Sequence, residues 1–366
     1  MVVIICIFTT IYLILIILLM IGLYILPKPG HEHTPPISVI VAARNEEENI
    51  GELLTALTIQ DYPIEKFEII IVDDRSTDRT AEIVNQRQVS LSNLRLVRTR
   101  SEMPDLVGKK NALTAGIRAA KYERLLFTDA DCLPPPGWLR STARYFTDQI
   151  DVAIGYSPHD IPKKSPLIAT LRRLERLAMS AVYAGAAGWN IGIGAAGRNL
   201  AYRKSLFEKV DGFRGIGHLH SGDDDLFVQK LNRYKSVRFA FVADKSASVP
   251  TQTPVSKRVL YEQEKRRHSK IRYYPIWLLA PLIFVAGFYL QLAFLFFAAL
   301  GGVISWKFLL TTFGLKLIVD FMLLQKFAGS VGEEKLLLWL FPAEVLHLPY
   351  LFTFSILGNL FRYRWK

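Results

Sequence analysis

The feature that most restricts how this sequence can fold is its N-terminus, where residues 1–27 contain no charged side chain. An apolar run of this length can cross a bilayer as a single helix. A cleaved signal peptide is the alternative, but it would have a basic start, a shorter apolar stretch and a small-residue cleavage site. None of these is evident, so we expect an uncleaved transmembrane anchor at 1–27.

A second apolar region occupies the other end, at 275–361. Its first part, 275–306, has no charged residue, and a Gly-Gly pair divides it from a second run at 303–324. A last run, 336–361, is interrupted by polar residues and prolines: Pro342, Glu344, His347 and Pro349. We expect two C-terminal spans, while the last run either crosses the membrane, re-enters it or lies at its surface.

The orientation follows from a basic segment at 256–274, just before the first C-terminal span. Its cationic residues are Lys257, Arg258, Lys265, Arg266, Arg267, Lys270 and Arg272. Such residues favour the cytoplasmic side of a membrane. We therefore predict a multi-pass protein of the cell membrane whose middle region, residues 35–255, is cytoplasmic.

The net charge of +12 fits a nucleic acid, an anionic membrane surface or an anionic substrate. The apolar ends already favour a membrane, so no nucleic-acid partner is expected. The chain has two cysteines, Cys6 and Cys132, which are too few for a disulfide framework or a zinc site.

The middle region alternates short β-branched runs with helical patterns. The predicted strands are 37–43, 67–72, 94–97 and 124–128. After the first strand, apolar residues recur at helical spacing as Ile50, Leu53, Leu54 and Leu57. The alternation predicts an α/β domain with a mainly parallel central sheet. Ligands bind such sheets beyond the carboxyl ends of the strands.

The pair Asp129 and Asp131 follows the fourth predicted strand. Two carboxylates one residue apart can face one ligand, and Mg²⁺ or Mn²⁺ prefers oxygen donors and is often shared with substrate phosphates. Solvated acids at the start of a loop are the simpler alternative.

Other polar clusters also have two interpretations. Asp73-Asp74 could bind a nucleoside, and the following Ser76, Thr77 or Asp78 could cap a helix. Lys109 and Lys110 open a helix and could contact phosphates, or they could simply form a solvated helix start. The acids Asp223, Asp224 and Asp225 could supply a general base or simply begin a helix. The basic run 263–268 could bind a diphosphate, or it could simply be positive charge beside the membrane.

In order along the chain, these segments resemble the inverting glycosyltransferase family 2, with its GT-A fold, from about Ile37 to Lys270. The matching motifs are Val39–Glu46, Val72–Asp78, Gly108–Leu113, Thr128–Asp131 and Gly222–Asp224.

The resemblance implies roles for individual residues. Ala43, Arg44, Asn45 and Glu46 would form a nucleotide-facing turn, Asp74 would lie near the base, and Asp129 near the ribose and diphosphate. Asp131 would be the metal ligand and Asp224 the catalytic base, although Asp225 beside it leaves the register open by one residue. The expected donor is a nucleotide sugar, most commonly a UDP-sugar, and the acceptor a lipid-linked or glycan hydroxyl.

One departure concerns processive synthesis. Membrane-bound polysaccharide synthases of this family carry Gln-x-x-Arg-Trp, whereas here Gln263 and Arg266 are followed by Arg267 in place of Trp. The resemblance therefore favours single transfer. A processive polysaccharide synthase and a non-catalytic nucleotide-binding membrane protein remain the alternatives.

Overall fold

The computed structural model describes residues 2–162, 166–251, 261 and 270–346. The chain divides into two compact units. One comprises residues 25–160 and 186–253 and contains the sheet. The other comprises the N-terminal helix, residues 161–185 and the C-terminal apolar helices.

The sheet unit has seven strands in the spatial order β3-β2-β1-β4-β6-β5-β7. The strands are β1 (Ile37–Ala43), β2 (Phe67–Asp73), β3 (Leu94–Arg98), β4 (Arg124–Asp129), β5 (Val152–Gly155), β6 (Leu200–Arg203) and β7 (Phe239–Val242). Strands β1 to β4 pair in parallel, and only β6 runs antiparallel to its neighbours β4 and β5. The predicted mainly parallel sheet is confirmed, although β5, β6 and β7 were not predicted.

Ten α-helices have both ends within the described residues. They are α1 (Val2–Ile25), α2 (Ile50–Thr58), α3 (Thr80–Gln88), α4 (Lys109–Ala119), α5 (Trp138–Tyr145), α6 (Pro166–Gly188), α7 (Lys204–Lys209), α8 (Asp225–Leu231), α9 (Ile276–Leu300) and α10 (Trp306–Val331). The alternation of β1 to β4 with α2 to α4 is the βα pattern that the sequence predicts.

The core of the sheet unit forms because β1 is almost wholly apolar and lies between β2 and β4. Its residues Val39, Ile40 and Val41 are fully buried. The predicted apolar face of α2 is also buried: Ile50, Leu53, Leu54 and Leu57 are all at 0% exposure. Each such aliphatic side chain contributes roughly 1.5–3 kcal/mol relative to an exposed one. This packing fixes the strands whose ends carry the polar clusters.

The register aligns the carboxyl ends of three neighbouring strands. Ala43 of β1 pairs with Asp73 of β2, and Ala42 pairs with Asp129 of β4. The loops that leave these strands therefore start from one edge of the sheet, where ligands of parallel α/β folds bind.

In the part of the second unit that the structure describes, three helices, α1, α9 and α10, are long and apolar enough to cross a membrane. Their positions agree with the predicted spans at 1–27, 275–306 and 303–324. At the start of the last predicted run, residues 334–339 form a 3₁₀ segment, and residues 340–346 are helical. Residues 347–361 lie outside the described part of the chain.

Candidate active site

Two carboxylates at the end of β4 form the candidate metal-binding pair. Ligand atoms of Asp129, Asp131 and Cys132 all lie within 4.8 Å of one another. The Cys132 side chain is fully buried, and its Sγ lies 3.5 Å from Oδ1 of Asp131. Carboxylate oxygens suit Mg²⁺ or Mn²⁺, whereas a thiol suits softer metals. The donor set thus fits a hard divalent ion held by the two aspartates.

The pKa values of the two aspartates move in opposite directions. Burial alone would raise the pKa of Asp129, but the positive charges of Lys109 and Arg198 hold it below its usual value. Burial and the adjacent charge of Asp129 raise the pKa of Asp131. A carboxylate in such surroundings is stabilised in its ionised form by a nearby cation.

Lys109, the first residue of α4, connects two acidic segments that are far apart in sequence. Its Nζ lies 2.5 Å from Oδ1 of Asp129 and 3.4 Å from Oδ2 of Asp223. Burial would lower the pKa of Lys109, but these two aspartates raise it above its usual value. The structure therefore brings the β4 carboxylates and the acidic segment before α8 together around one ammonium group.

Lys110 points elsewhere, because neighbouring residues of a helix face different directions. Its side chain is 1% exposed, and its Nζ donates to the backbone carbonyls of Leu219 at 2.5 Å and Ser221 at 2.8 Å. The structure thus places Lys110, which the sequence analysis assigned to phosphates, against the backbone of the segment before Asp223.

The three consecutive acids have different surroundings. Asp223 lies near Lys109, whereas Asp225 is 5% exposed and accepts a hydrogen bond from the Leu226 backbone N–H. Asp224 caps α8: its Oδ1 accepts from the Asp225 N–H at 2.7 Å, and its Oδ2 accepts from the Gly197 N–H at 3.1 Å. Asp224 is less buried than Asp225. Its carboxylate is thus fixed by backbone donors while remaining partly accessible.

The turn after β1 is bound to the loop after β2. Asn45 has a left-handed backbone, with φ of 56°, and its side chain accepts a hydrogen bond from the Thr77 N–H at 2.8 Å. The Glu46 N–H donates to Thr80 Oγ1 at 2.8 Å. Arg44 is exposed, whereas Ala43 is buried at the strand end. These contacts hold the predicted nucleotide-facing turn in one conformation.

Glu46 belongs electrostatically to the same site as the β4 aspartates. Burial raises its pKa, and the charges of Asp131 and Asp129 raise it further, while the Asn49 amide that donates to it has the opposite effect. Negative charge is therefore concentrated at this edge of the sheet.

Asp74 lies at the end of β2 and is only 4% exposed. Its carboxylate accepts hydrogen bonds from Thr99 Oγ1 at 2.7 Å and from Arg75 Nε at 3.0 Å. Arg75 also reaches Glu102 at 3.0 Å. The predicted base-binding aspartate is thus rigidly held at the edge where the nucleotide is expected.

The sequence indicates Lys109, together with Lys110, as a possible phosphate contact, but it does not indicate Arg198. No local pattern marks Arg198, because the turn that holds it lies beside β4 only through the pairing of the distant strand β6 with β4. The predicted residues Gln263, Arg266 and Arg267 lie outside the described residues.

Comparison with known proteins agrees with this architecture. Residues 38–211 match the model of the family described as glycosyl transferase family 2. Glycosyltransferase AglE of Haloferax volcanii is 29% identical over 195 residues, which cover 52% of this chain and 59% of that protein. The probable glycosyltransferase YdaM of Bacillus subtilis is 26% identical over 344 residues, covering 90% of this chain and 76% of that protein.

The fold has a counterpart among solved structures. The mannosyltransferase PcManGT from Pyrobaculum calidifontis, in complex with GDP-Man and Mn²⁺, superposes with a TM-score of 0.51 at 19% identity. The alignment covers 97% of this chain and 95% of that one. The shared architecture is the GT-A fold expected from the sequence.

Proposed function

Residues 38–211 belong to glycosyltransferase family 2, and from that premise we propose that this chain is a membrane-bound inverting glycosyltransferase. It moves a sugar from a nucleotide-sugar donor, expected to be a UDP-sugar, to a hydroxyl of a lipid-linked or glycan acceptor. A divalent metal ion assists the transfer.

The observation that carries this proposal is the position of Lys109 between Asp129 and Asp223. A transferase must hold the donor's leaving group and the acceptor's attacking group close to one anomeric carbon. The β4 aspartates are the proposed donor side, and the acidic segment before α8 is the proposed acceptor side. Their convergence around one side chain supports a single reaction site.

Asp131, with Asp129 beside it, is the proposed ligand set for Mg²⁺ or Mn²⁺. When bound, such an ion neutralises the charge that develops on a leaving nucleoside diphosphate. The PcManGT complex contains Mn²⁺ and GDP-Man, which supports a metal and a nucleotide sugar here. Lys109 adds a protein cation to the same place.

Asp224 is the proposed general base. Its carboxylate removes the proton of the acceptor hydroxyl, and the acceptor oxygen attacks the anomeric carbon. The bond from that carbon to the diphosphate oxygen breaks, and the configuration inverts. The backbone N–H groups of Gly197 and Asp225 hold the Asp224 carboxylate in place. Asp225 is less suited to this role, because it is buried at the start of α8.

The nucleoside is proposed to bind at the ends of β1 and β2. There the turn Ala43–Glu46 is fixed by the loop after β2, and Asp74 is held by Thr99 and Arg75. A rigid carboxylate at the edge of the sheet can accept hydrogen bonds from a base or ribose without first being ordered.

The proposed location is the cell membrane, with the sheet unit on the cytoplasmic side. Helices α1, α9 and α10 are long and apolar enough to span the bilayer. The basic residues at 256–274 favour the cytoplasmic face. A membrane location would give the site access to an acceptor carried by a lipid.

The proposal is tested by incubating membranes that contain the full chain with UDP-Glc, UDP-GlcNAc, UDP-Gal or GDP-Man, with Mn²⁺ or Mg²⁺ and membrane lipid extract. Release of nucleoside diphosphate is measured with and without a chelator. We expect one donor to be turned over, and chelation or Asp131→Asn to abolish the release.

The matched control is Asp211→Asn, which changes an exposed aspartate of the same unit and should keep full activity. No release from any donor with lipid extract present would count against the transferase assignment. The length of the product then separates single transfer from processive synthesis.

A further inference from the structure

Arg198 is a cation of the candidate site that has no role in the reaction as described above. Its Nε donates to Ser157 Oγ at 2.7 Å, and Ser157, itself buried, donates to the Val249 carbonyl at 2.7 Å. Within the described residues, the two terminal guanidinium nitrogens of Arg198 have no hydrogen bond and no ion pair. The side chain is thus anchored through Nε, and the N–H groups of its two terminal nitrogens can donate to a ligand.

The sheet register shows where this arginine lies. Strand β6 pairs antiparallel with β4, and the last pair is Phe127 with Leu200. Arg198 lies two residues before Leu200, in the 3₁₀ turn Gly197–Asn199, which packs beside β4. The same proximity is seen electrostatically, because the charge of Arg198 lowers the pKa of Asp129.

The backbone on both sides of Arg198 is fixed. The preceding Gly197 donates its N–H to Asp224 at 3.1 Å. The following Asn199 is 3% exposed and bonds three separate segments through Trp138 Nε1, the Tyr156 carbonyl and the Ala247 carbonyl. Arg198 is therefore held between the proposed metal ligands and the proposed base.

The charges of the site favour an additional cation. Four aspartates lie there, Asp129, Asp131, Asp223 and Asp224, and Lys109 is already paired with Asp129 and Asp223. A divalent ion offsets two of the four negative charges, yet a nucleoside diphosphate brings further negative charge. An arginine with unused donors can form paired hydrogen bonds with phosphate oxygens.

We propose that Arg198 binds the diphosphate of the nucleotide-sugar donor, with its terminal N–H groups donating to phosphate oxygens while Ser157 holds its Nε. This rests on the proposed function and adds a residue to it. Arg198 would stabilise the negative charge left on the diphosphate when the bond to the anomeric carbon breaks.

The experiment measures Mn²⁺-dependent binding of UDP, GDP and uridine to the full-length protein in detergent. Arg198→Gln removes the charge, Arg198→Lys keeps it without the fork, and Arg214→Gln changes an exposed arginine of the same unit. We expect Arg198→Gln to weaken binding of the preferred nucleoside diphosphate about tenfold or more. Arg198→Lys should lose less, and Arg214→Gln nothing.

Uridine has no phosphate, so its binding distinguishes a lost phosphate contact from a disturbed fold. If UDP is the preferred ligand, weaker UDP binding by Arg198→Gln, with unchanged uridine binding and an unchanged unfolding temperature, supports the inference. Equal nucleoside diphosphate affinity in the wild type and Arg198→Gln overturns it, as does an effect seen only when an acceptor is present. A wild-type protein that binds neither UDP nor GDP overturns the proposed function as well.

Discussion

The ammonium group of Lys109 lies 2.5 Å from the carboxylate of Asp129, across the gap between the start of α4 and the end of β4. The same ammonium lies 3.4 Å from Asp223. One side chain thereby connects the segments that we propose hold the donor and activate the acceptor. Its charge is the main reason why the pKa of Asp129 stays low despite burial.

Replacing Lys109 by Met should therefore impair the reaction and change its pH dependence. Without the ammonium, the pKa of Asp129 rises, so Asp129 loses its charge at a higher pH than in the wild type. The acidic limb of the kcat/KM profile should move to higher pH, and turnover should fall about tenfold or more.

The profile is measured by nucleoside diphosphate release between acid and neutral pH, with Lys235→Met as an exposed control. Lys109→Arg keeps the charge and should shift the acidic limb less. An unchanged profile in Lys109→Met would contradict the role assigned to this ammonium.

Replacing Lys110 by Met should act mainly on stability. The change leaves the carbonyls of Leu219 and Ser221 without the Lys110 donor, which costs roughly 1–3 kcal/mol for an unsatisfied buried group. We expect a lower unfolding midpoint and a lower kcat, because the segment before Asp223 is no longer held, with little change in nucleotide affinity.

Denaturant unfolding and nucleotide titration of Lys110→Met, compared with Lys109→Met, check this division of roles. Wild-type stability together with a strong loss of nucleotide affinity in Lys110→Met would favour the phosphate contact suggested by the sequence instead.

The elements that the sequence predicts well are those whose pattern is local. Strand β1 is a run of β-branched residues, and the helical spacing of Ile50 to Leu57 identifies the buried face of α2. Strands β5, β6 and β7 escaped prediction because each has only four residues. Their places in the sheet depend on pairing between distant segments, which no local pattern records.

The candidate site could likewise be predicted only where a local sequence pattern marks its residues. The acids at 129, 131 and 224 could be selected because each lies at a recognisable element boundary, at the end of β4 or the start of α8. The difference between Lys109 and Lys110 is one helical step, which turns one ammonium toward Asp129 and buries the other. The place of Arg198 depends on the antiparallel register of β6, which the sequence does not display.

In the unit of apolar helices, Lys316 is 1% exposed and pairs with Asp320 at 2.6 Å and with Glu344. Tyr12 of α1 donates to the same Asp320 at 2.8 Å. Lys316→Met leaves the buried carboxylate of Asp320 and the partly buried one of Glu344 without their cation, which typically costs about 3–5 kcal/mol. We expect a clearly lower unfolding temperature in detergent.

Adding Asp320→Asn to Lys316→Met should recover part of that loss, because one uncompensated charge is removed. Lys307→Met changes an exposed lysine of the same helix and should be neutral. An unfolding temperature unchanged by Lys316→Met would show that the ion pairs do not hold these helices together.

Helices α1 and α6 approach each other closely at two glycines. A Cβ added at Gly22 would lie 1.9 Å from the Gly185 carbonyl oxygen, whereas one added at Gly51 of α2 meets nothing within 4 Å. Gly22→Ala should therefore destabilise the protein, and Gly51→Ala should stabilise it by about 0.5–1 kcal/mol. Thermal unfolding in detergent compares the two, and an equal response would contradict the close packing of α1 on α6.

The proposed mechanism is tested by comparing Asp131→Asn with Asp224→Asn in two assays on the same preparation, with Mn²⁺ and the donor that the wild type turns over. The assays are nucleoside diphosphate binding and sugar transfer. We expect both variants to lose transfer. We expect Asp131→Asn also to lose metal-dependent binding, and Asp224→Asn to bind as the wild type does. Transfer that persists in Asp224→Asn would contradict the assignment of the base, and metal-dependent binding that persists in Asp131→Asn would contradict the metal site on which the mechanism depends.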